Sequence, residues 1–209
     1  MSSEKKCVTF KNRFRGFLPV VIDVETGGLA AQTDALLEIA AVMINMNDEG
    51  ELSIGETHSC HVTPFEGAVL DPKSLEINRI DPYHPFRLAV PESKALAHIF
   101  QPIHETVKAQ QCQRAVLVGH NSWFDLAFML AAVKRCKLKD QPFHSFTSLD
   151  TATLSALVYG ETVLQKALKK AGIQFDPNEA HSAIYDANVT AELFCRIFNT
   201  WRDRSTLIP

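Results

Sequence analysis

Phe17-Leu18-Pro19-Val20-Val21-Ile22-Asp23-Val24-Glu25-Thr26-Gly27-Gly28 decides how the rest of the chain is read. Its apolar, β-branched run is short and stops at a glycine pair, the pattern of a buried strand. Two acids stand where that strand ends. Asp23 and Glu25 are two residues apart, so both side chains leave the same face. Like charges held side by side raise each other's pKa, and burying them is costly unless something compensates. A pair of solvated acids would explain this stretch alone; the remaining chain argues against it.

Working outward, residues 35–46 read as a second strand, closed by the turn signal Asn47-Asp48-Glu49-Gly50, and residues 52–62 as a third. Residues 64–91 hold five prolines and read as irregular, with a short helix near 74–79. Leu96, Ile99, Phe100, Ile103 and Val107 give helical spacing over 92–111, interrupted by Pro102. Residues 115–119 form a fourth strand, 123–136 a helix, and 147–149 a short fifth strand. Helical patterns follow over 151–158, 163–171 and 182–201. A leading antiparallel meander followed by strand–helix units and a C-terminal helix predicts an α/β sheet with helical cover.

The chain has 209 residues, 46% of them hydrophobic, with a net charge of 21 − 24 = −3. That composition excludes disordered and repetitive classes and suits a single domain over 1–209. The longest apolar run, 126–133, falls far short of the ~18 residues a membrane span needs. The polar N-terminus is not followed by a signal-peptide core. Five scattered cysteines form no C-x-x-C pair, which points to a reducing, cytoplasmic setting. The histidines contain no H-E-x-x-H, so zincin chemistry is excluded. The weakly acidic total argues against non-specific nucleic-acid binding, but the charge is uneven. Residues 1–16 carry Lys5, Lys6, Lys11, Arg13 and Arg15 against Glu4 alone, and a second basic stretch runs from Lys108 and Arg114 to Lys139. Acidic centre and basic edges would suit a metal site that handles a polyanion.

Further acids occupy unexpected places. Asp125 falls about one turn into the helix after Gly119-His120-Asn121-Ser122, among Leu126, Phe128 and Met129. Asp186 lies early in the last helix, with His181 five residues before it. Five helical positions rotate by about 140°, so His181 belongs on the entering loop rather than on the face of Asp186. If four carboxylates converge, about four positive charges must balance them, and two divalent cations would do so. Oxygen ligation favours Mg²⁺ or Mn²⁺ over Zn²⁺. Two such ions roughly 4 Å apart suit in-line phosphodiester displacement, with a nearby histidine as general base. Glu38 is open between a role behind that site and an ordinary strand-face acid. Asp150, just before Thr151, reads as a helix N-cap.

Three segments together resemble the DEDD family of 3′→5′ exonucleases, histidine branch: Val21-Ile22-Asp23-Val24-Glu25-Thr26-Gly27-Gly28, His120-Asn121-Ser122-Trp123-Phe124-Asp125, and His181-Ser182-Ala183-Ile184-Tyr185-Asp186-Ala187. They occur in the family's order. The resemblance implies a ribonuclease-H-like mixed five-stranded sheet flanked by helices. It implies that Asp23, Glu25 and Asp186 hold one metal ion and Asp23 with Asp125 the other. It implies that His181 deprotonates the attacking water, its direct contact with metal being left open.

Within that family, Arg13-Phe14-Arg15-Gly16-Phe17, Thr33-Asp34-Ala35-Leu36-Leu37-Glu38-Ile39-Ala40-Ala41, Ile80-Asp81-Pro82 and Pro142-Phe143-His144-Ser145-Phe146 are most similar to homodimeric enzymes that trim transfer RNA, ribosomal RNA and other stable RNAs. That similarity implies a substrate of RNA 3′ ends, with single-stranded DNA as a second class. It implies a basic patch of Arg13, Arg15, Lys108 and Arg114 that feeds RNA to the partner's site. It implies a wedge against the terminal bases, matched by Phe124 and Phe146. Leu29 and Ile77 replace phenylalanines and Lys73 replaces a glutamate there, so a changed terminal-base preference is expected. A DNA proofreading subunit is the alternative the same motifs allow. A catalytically dead RNA-binding module is not, since all four carboxylates and the histidine are present.

Overall fold

A computed structural model describes residues 8–205, with side chains to Trp201; Lys5 and Lys6 of the basic N-terminal segment, and Cys7, lie outside the described residues. After two single 3₁₀ turns come strands β1 (Phe17–Thr26), β2 (Leu36–Met46) and β3 (Leu52–Thr63), then helix α1 (Pro72–Asn78) and a third 3₁₀ turn (Pro85–Arg87). β4 (Val90–Pro91), α2 (Glu92–Ala109), β5 (Arg114–Gly119) and α3 (Trp123–Arg135) follow, then β6 (Phe143–Asp150), α4 (Thr151–Tyr159), α5 (Leu164–Ala171) and α6 (Ala183–Ser205).

The strands form one mixed sheet in the order β4-β3-β2-β1-β5-β6. β2 is antiparallel to both β1 and β3, whereas β5 runs parallel to β1 and to β6. β1 therefore sits between an antiparallel and a parallel neighbour, and every residue from Phe17 to Ile22 is buried. Such two-sided burial explains its unbroken apolar sequence. Leu18, Val20, Ile22, Ile39, Val42 and Leu117 form the middle of a core that α2, α3 and α6 close with Leu96, Ile99, Phe128 and Phe194. Ala167, Leu168, Val189 and Leu193 make a smaller second cluster between α5 and α6.

The sheet has six strands where the sequence predicts five. The additional one is β4, two residues that pair with Val62 and Thr63 at the end of β3. Two residues carry no periodicity. β6 is also longer than the expected 147–149, because its first half is irregular and lacks an alternating pattern: Phe143 pairs with Ala115, then Ser148 with Leu117. Residues 144–147 bulge out between those pairs, and the His144 ring accepts the amides of Phe146 and Thr147. α2 runs through Pro102 without a break. Burial of Ile99, Phe100 and Ile103 outweighs the lost donor, and the Thr106 hydroxyl binds the Pro102 carbonyl at 2.9 Å. α1 begins two residues earlier than expected, with Asp71 as N-cap and Pro72 in the first turn.

Candidate active site

The C-terminal end of β1 meets α1, α3 and the start of α6, and the predicted acids converge there. Asp23 and Glu25 project from β1, and Glu25 stands directly opposite Glu38 of β2. Asp125, in the first turn of α3, is 5% exposed, and its Oδ1 accepts the Val24 amide at 3.1 Å. That bond ties α3 to the strand between the two β1 acids. Glycine at 119 makes room for it: a Cβ there would lie 3.1 Å from Asp125 Oδ2 and 3.1 Å from Ser122 Cα.

Asp186 lies in the first turn of α6, and its Oδ2 accepts the His181 backbone N–H at 3.0 Å. His181 adopts a left-handed conformation (φ 66°) on the exposed loop that precedes α6, as its spacing from Asp186 predicts. Ligand atoms of Glu25, His181 and Asp186 all lie within 4.8 Å of one another. Asp23 belongs to the same electrostatic cluster. Burial, followed by the charges of Asp125, Glu25, Asp186 and Glu38, holds its carboxyl well above the ordinary range.

The other acids are displaced in the same direction. Burial first, then Asp186, Glu38 and Asp125, raises Glu25 to about 8, against a hydrogen bond from Asn78 that lowers it. Burial raises Asp125 to about 8, against the lowering effect of the Val24 amide. Burial also raises Asp186, offset by the His181 amide and ring. Buried carboxylates that repel one another, with no lysine or arginine ion-paired to them among the described residues, are a donor set fitted to divalent cations.

One contributor, Asn78, escaped the sequence reading, and Glu38 was left open by it. The Asn78 amide donates to the Thr26 carbonyl at 3.0 Å and to Glu25, so α1 fixes both the strand end and its acid. Glu38 engages His61 Nδ1 at 2.9 Å and accepts the Ala183 amide at 3.4 Å, which links β2 and β3 to the start of α6. Nothing local distinguishes Asn78 in Leu75-Glu76-Ile77-Asn78, whereas both readings left open for Glu38 have a counterpart: it stands opposite Glu25 and it pairs with the basic neighbour His61. Asp150 does cap α4, accepting the Ala152 and Thr153 amides, and it also accepts the Asn121 amide at 2.8 Å.

The residues expected to touch substrate divide by position. Leu29 lies three residues past β1 and is exposed; Lys73 and Ile77, one helical turn apart on α1, are exposed as well. Phe124 adjoins Asp125, half-buried against Phe128 at 4.9 Å and Trp123 at 5.8 Å. Phe146 is 91% exposed on the β6 bulge, between the levels of Leu18 and Val20 rather than beside Asp23.

The expected basic residues gather at the opposite end of β1. Arg114 pairs with Phe17, and Gln113 binds the carbonyls of Arg15 and Gly16. Lys108 occupies the last turn of α2, which leads into this corner. Arg13 donates to the Gly50 carbonyl at 2.9 Å and lies over the Phe14 and Phe198 rings, so part of its guanidinium holds the fold. Six residues of strand separate Phe17 from Asp23, about 20 Å at the usual rise.

Comparison with known proteins agrees with this geometry. An exonuclease family, RNase_T, matches residues 20–194. Ribonuclease T of Vibrio parahaemolyticus is 55% identical over 203 residues, covering 97% of this chain and 95% of that protein. Ribonuclease T of Marinobacter nauticus is 55% identical over 210 residues, covering 100% and 95%. Among solved structures, the nuclease domain of 3′hExo, a DEDDh family member bound to rAMP, superposes with a TM-score of 0.65 at 18% identity over 87% of this chain and 92% of that one. E. coli exonuclease I with a dT13 oligonucleotide gives 0.66 at 17% identity, over 91% of this chain and 42% of that one. These distant structures share the fold, and the near relatives share almost the whole length: the chain belongs to the ribonuclease T family of exonucleases.

Proposed function

We propose that the chain, read as one exonuclease domain over 1–209, removes nucleotides one at a time from single-stranded 3′ ends of RNA. Its substrates would be transfer RNA and other stable RNAs such as ribosomal RNA precursors in the cytoplasm, with single-stranded DNA 3′ ends as a second substrate. The observation that carries this reading is the convergence of Asp23, Glu25, Asp125 and Asp186 with His181 at one strand end. Near relatives named ribonuclease T support RNA, and no observation here favours a DNA proofreading subunit. The fold itself serves both sugars, as the dT13 and rAMP complexes of distant members illustrate.

The four carboxylates would hold two Mg²⁺ ions, or Mn²⁺ in their place. When bound, the ions supply the positive charge that in-line displacement at a phosphodiester needs. The remaining work falls to side chains. His181, exposed beside Glu25 and Asp186, takes the proton from the attacking water. Asp186 keeps the His181 backbone in place, and Asn78 orients Glu25. Leu29, Ile77 and Phe124 supply apolar contact for the terminal bases, with Lys73 at the α1 edge; Phe146 would reach them from the bulge.

The direct test follows 3′- and 5′-labelled single-stranded RNA and DNA with Mg²⁺ or chelator. Metal-dependent release of single 3′ nucleotides is expected, slowing near duplex. No cleavage with any divalent ion would overturn the reading.

The displaced carboxyls give a second expectation. Glu25 and Asp125 titrate near 8 in the fold, against ordinary values of 4.5 and 3.8. Over that window the unfolded chain has already released protons that the folded chain still holds. Stability of the metal-free protein therefore falls as pH rises from about 4 to 8. Mg²⁺ takes over from those protons, so its effect on Tm should be small at pH 5 and several degrees at pH 8. A Tm gain independent of pH would argue against a clustered site.

The basic end of β1 lies too far from the carboxylates of its own chain to touch the same terminal nucleotide. Following the resemblance to homodimeric RNA-trimming enzymes, we read the protein as a homodimer in which Arg15, Lys108 and Arg114, with Arg13, guide RNA to the partner's site. Arg15→Ala combined with Arg114→Ala should weaken RNA binding and flatten its salt slope by about 1.4, at ~0.7 per phosphate contact on single strands. An unchanged slope removes both arginines from the substrate path.

A further inference from the structure

Residues 79–89, between α1 and β4, are fastened beside the carboxylate site at both ends. At the start, the Ile80 amide donates to Asn78 Oδ1 at 3.1 Å, and the Asn78 amide in turn holds the end of β1. At the other end Arg87 crosses to β2, where Nη2 donates to the Leu37 carbonyl at 2.7 Å, one residue before Glu38. Between these anchors the segment is bonded to itself. Asp81 accepts the Tyr83 amide through Oδ1 at 3.0 Å and the His84 amide through its carbonyl at 3.2 Å. The His84 ring accepts the Phe86 amide at 3.3 Å, and the His84 carbonyl accepts that of Arg87 at 3.1 Å. Arg79 and Leu88 are left-handed (φ 58° and 52°), a conformation such residues hold only where surrounding contacts dictate it.

This braced segment turns its largest apolar side chains to water: Tyr83 is 75% exposed, Phe86 85% and Leu88 85%. Leu29 and Ile77, also exposed, precede it at the same end of the sheet. An apolar group of this kind marks a binding surface. We propose that Tyr83 and Phe86 form a stacking platform for bases of the bound strand that lie upstream of its terminal nucleotides, with Leu88 as the apolar flank. This rests on the reading of the protein as an exonuclease acting on single-stranded 3′ ends. Both anchors adjoin Glu25 and Glu38, so a strand whose 3′ end is held at the carboxylates has the platform within the same surface. Stacking accepts any base, as an enzyme that shortens a strand stepwise requires. A backbone already braced on both sides of the rings has little freedom left to lose on binding.

The test compares Tyr83→Ala with Phe86→Ala, combined in an Asp23→Asn protein that does not degrade its ligand, against Asp23→Asn alone. Fluorescence anisotropy with Mg²⁺ would follow labelled oligoadenylates of two to ten nucleotides. The parent is expected to bind the longer strands more tightly, and the added substitutions to reduce that length-dependent gain about tenfold. Tyr83→Phe with Phe86→Tyr should restore it. Equal weakening at every length, or none, would overturn the platform. So would a lowered sedimentation mass with strand affinity intact, which would mark the surface as a protein contact. If unsubstituted protein neither binds nor shortens any strand, the exonuclease reading fails and the platform with it. Both side chains are exposed, so a thermal melt matching the parent's is expected to confirm that the fold is retained.

Discussion

Asp23→Asn is expected to lower kcat by about 1000-fold or more while the RNA strand still binds. The loss corresponds to roughly 4 kcal/mol of transition-state stabilisation. Asp23 is the acid most affected by its neighbours, since Asp125, Glu25, Asp186 and Glu38 all act on it. Asparagine keeps the shape and removes the charge that would bind metal. The same change should stabilise the metal-free protein above neutral pH, because it deletes one of several buried like charges. Activity and stability would then move in opposite directions, which a merely structural acid would not do. Single-turnover cleavage with Mg²⁺, paired with melts in chelator, checks both halves; full activity would refute the metal assignment.

His181→Ala should cost about 10²–10⁴ in kcat, the range for a lost general base. Asp186 holds the His181 backbone amide rather than its ring, so the loop keeps this anchor in the variant. The ring also lies within reach of the ligand atoms of Glu25 and Asp186. Two outcomes are therefore distinguishable in one preparation. A full Mg²⁺-induced rise in Tm with lost turnover identifies a base, whereas a diminished rise identifies a metal ligand. Unchanged turnover would remove His181 from the reaction.

The chemistry of the site was more legible in the sequence than its scaffolding. Asp23 and Glu25 were conspicuous because acids rarely end so apolar a strand, and Asp125 because it lies among core residues. Asn78 had no such contrast. Its part depends on a hydrogen bond across 52 residues, which no local pattern encodes. The absence of β4 from the sequence reading and the short extent read for β6 have physical reasons too. β4 is too short to alternate, and β6 begins with a polar bulge whose backbone is satisfied by His144. Pro102 misled in the opposite sense, since tertiary burial of its neighbours carried the helix through it. The residues that the resemblance assigns to RNA contact differ in setting: Arg13 is partly engaged within the fold, while Arg15 and Arg114 present exposed side chains at the same corner.

The two halves of the proposed catalytic apparatus rest on unequal foundations. Asp23 and Glu25 extend from the central strand of the sheet, whose backbone amides can exchange with solvent only when the molecule opens as a whole. His181 ends a loop, 174–181, in which only Phe175 and Ala180 are even partly covered. Local opening there needs far less energy than melting the sheet. Heating should therefore silence the enzyme in a reversible phase, with its secondary structure and its cluster of carboxylates intact, at temperatures below the main transition. If His181 serves as the base, the working ceiling of this protein would be set by eight residues of loop, and the sturdiness of the sheet beneath them would add nothing to it.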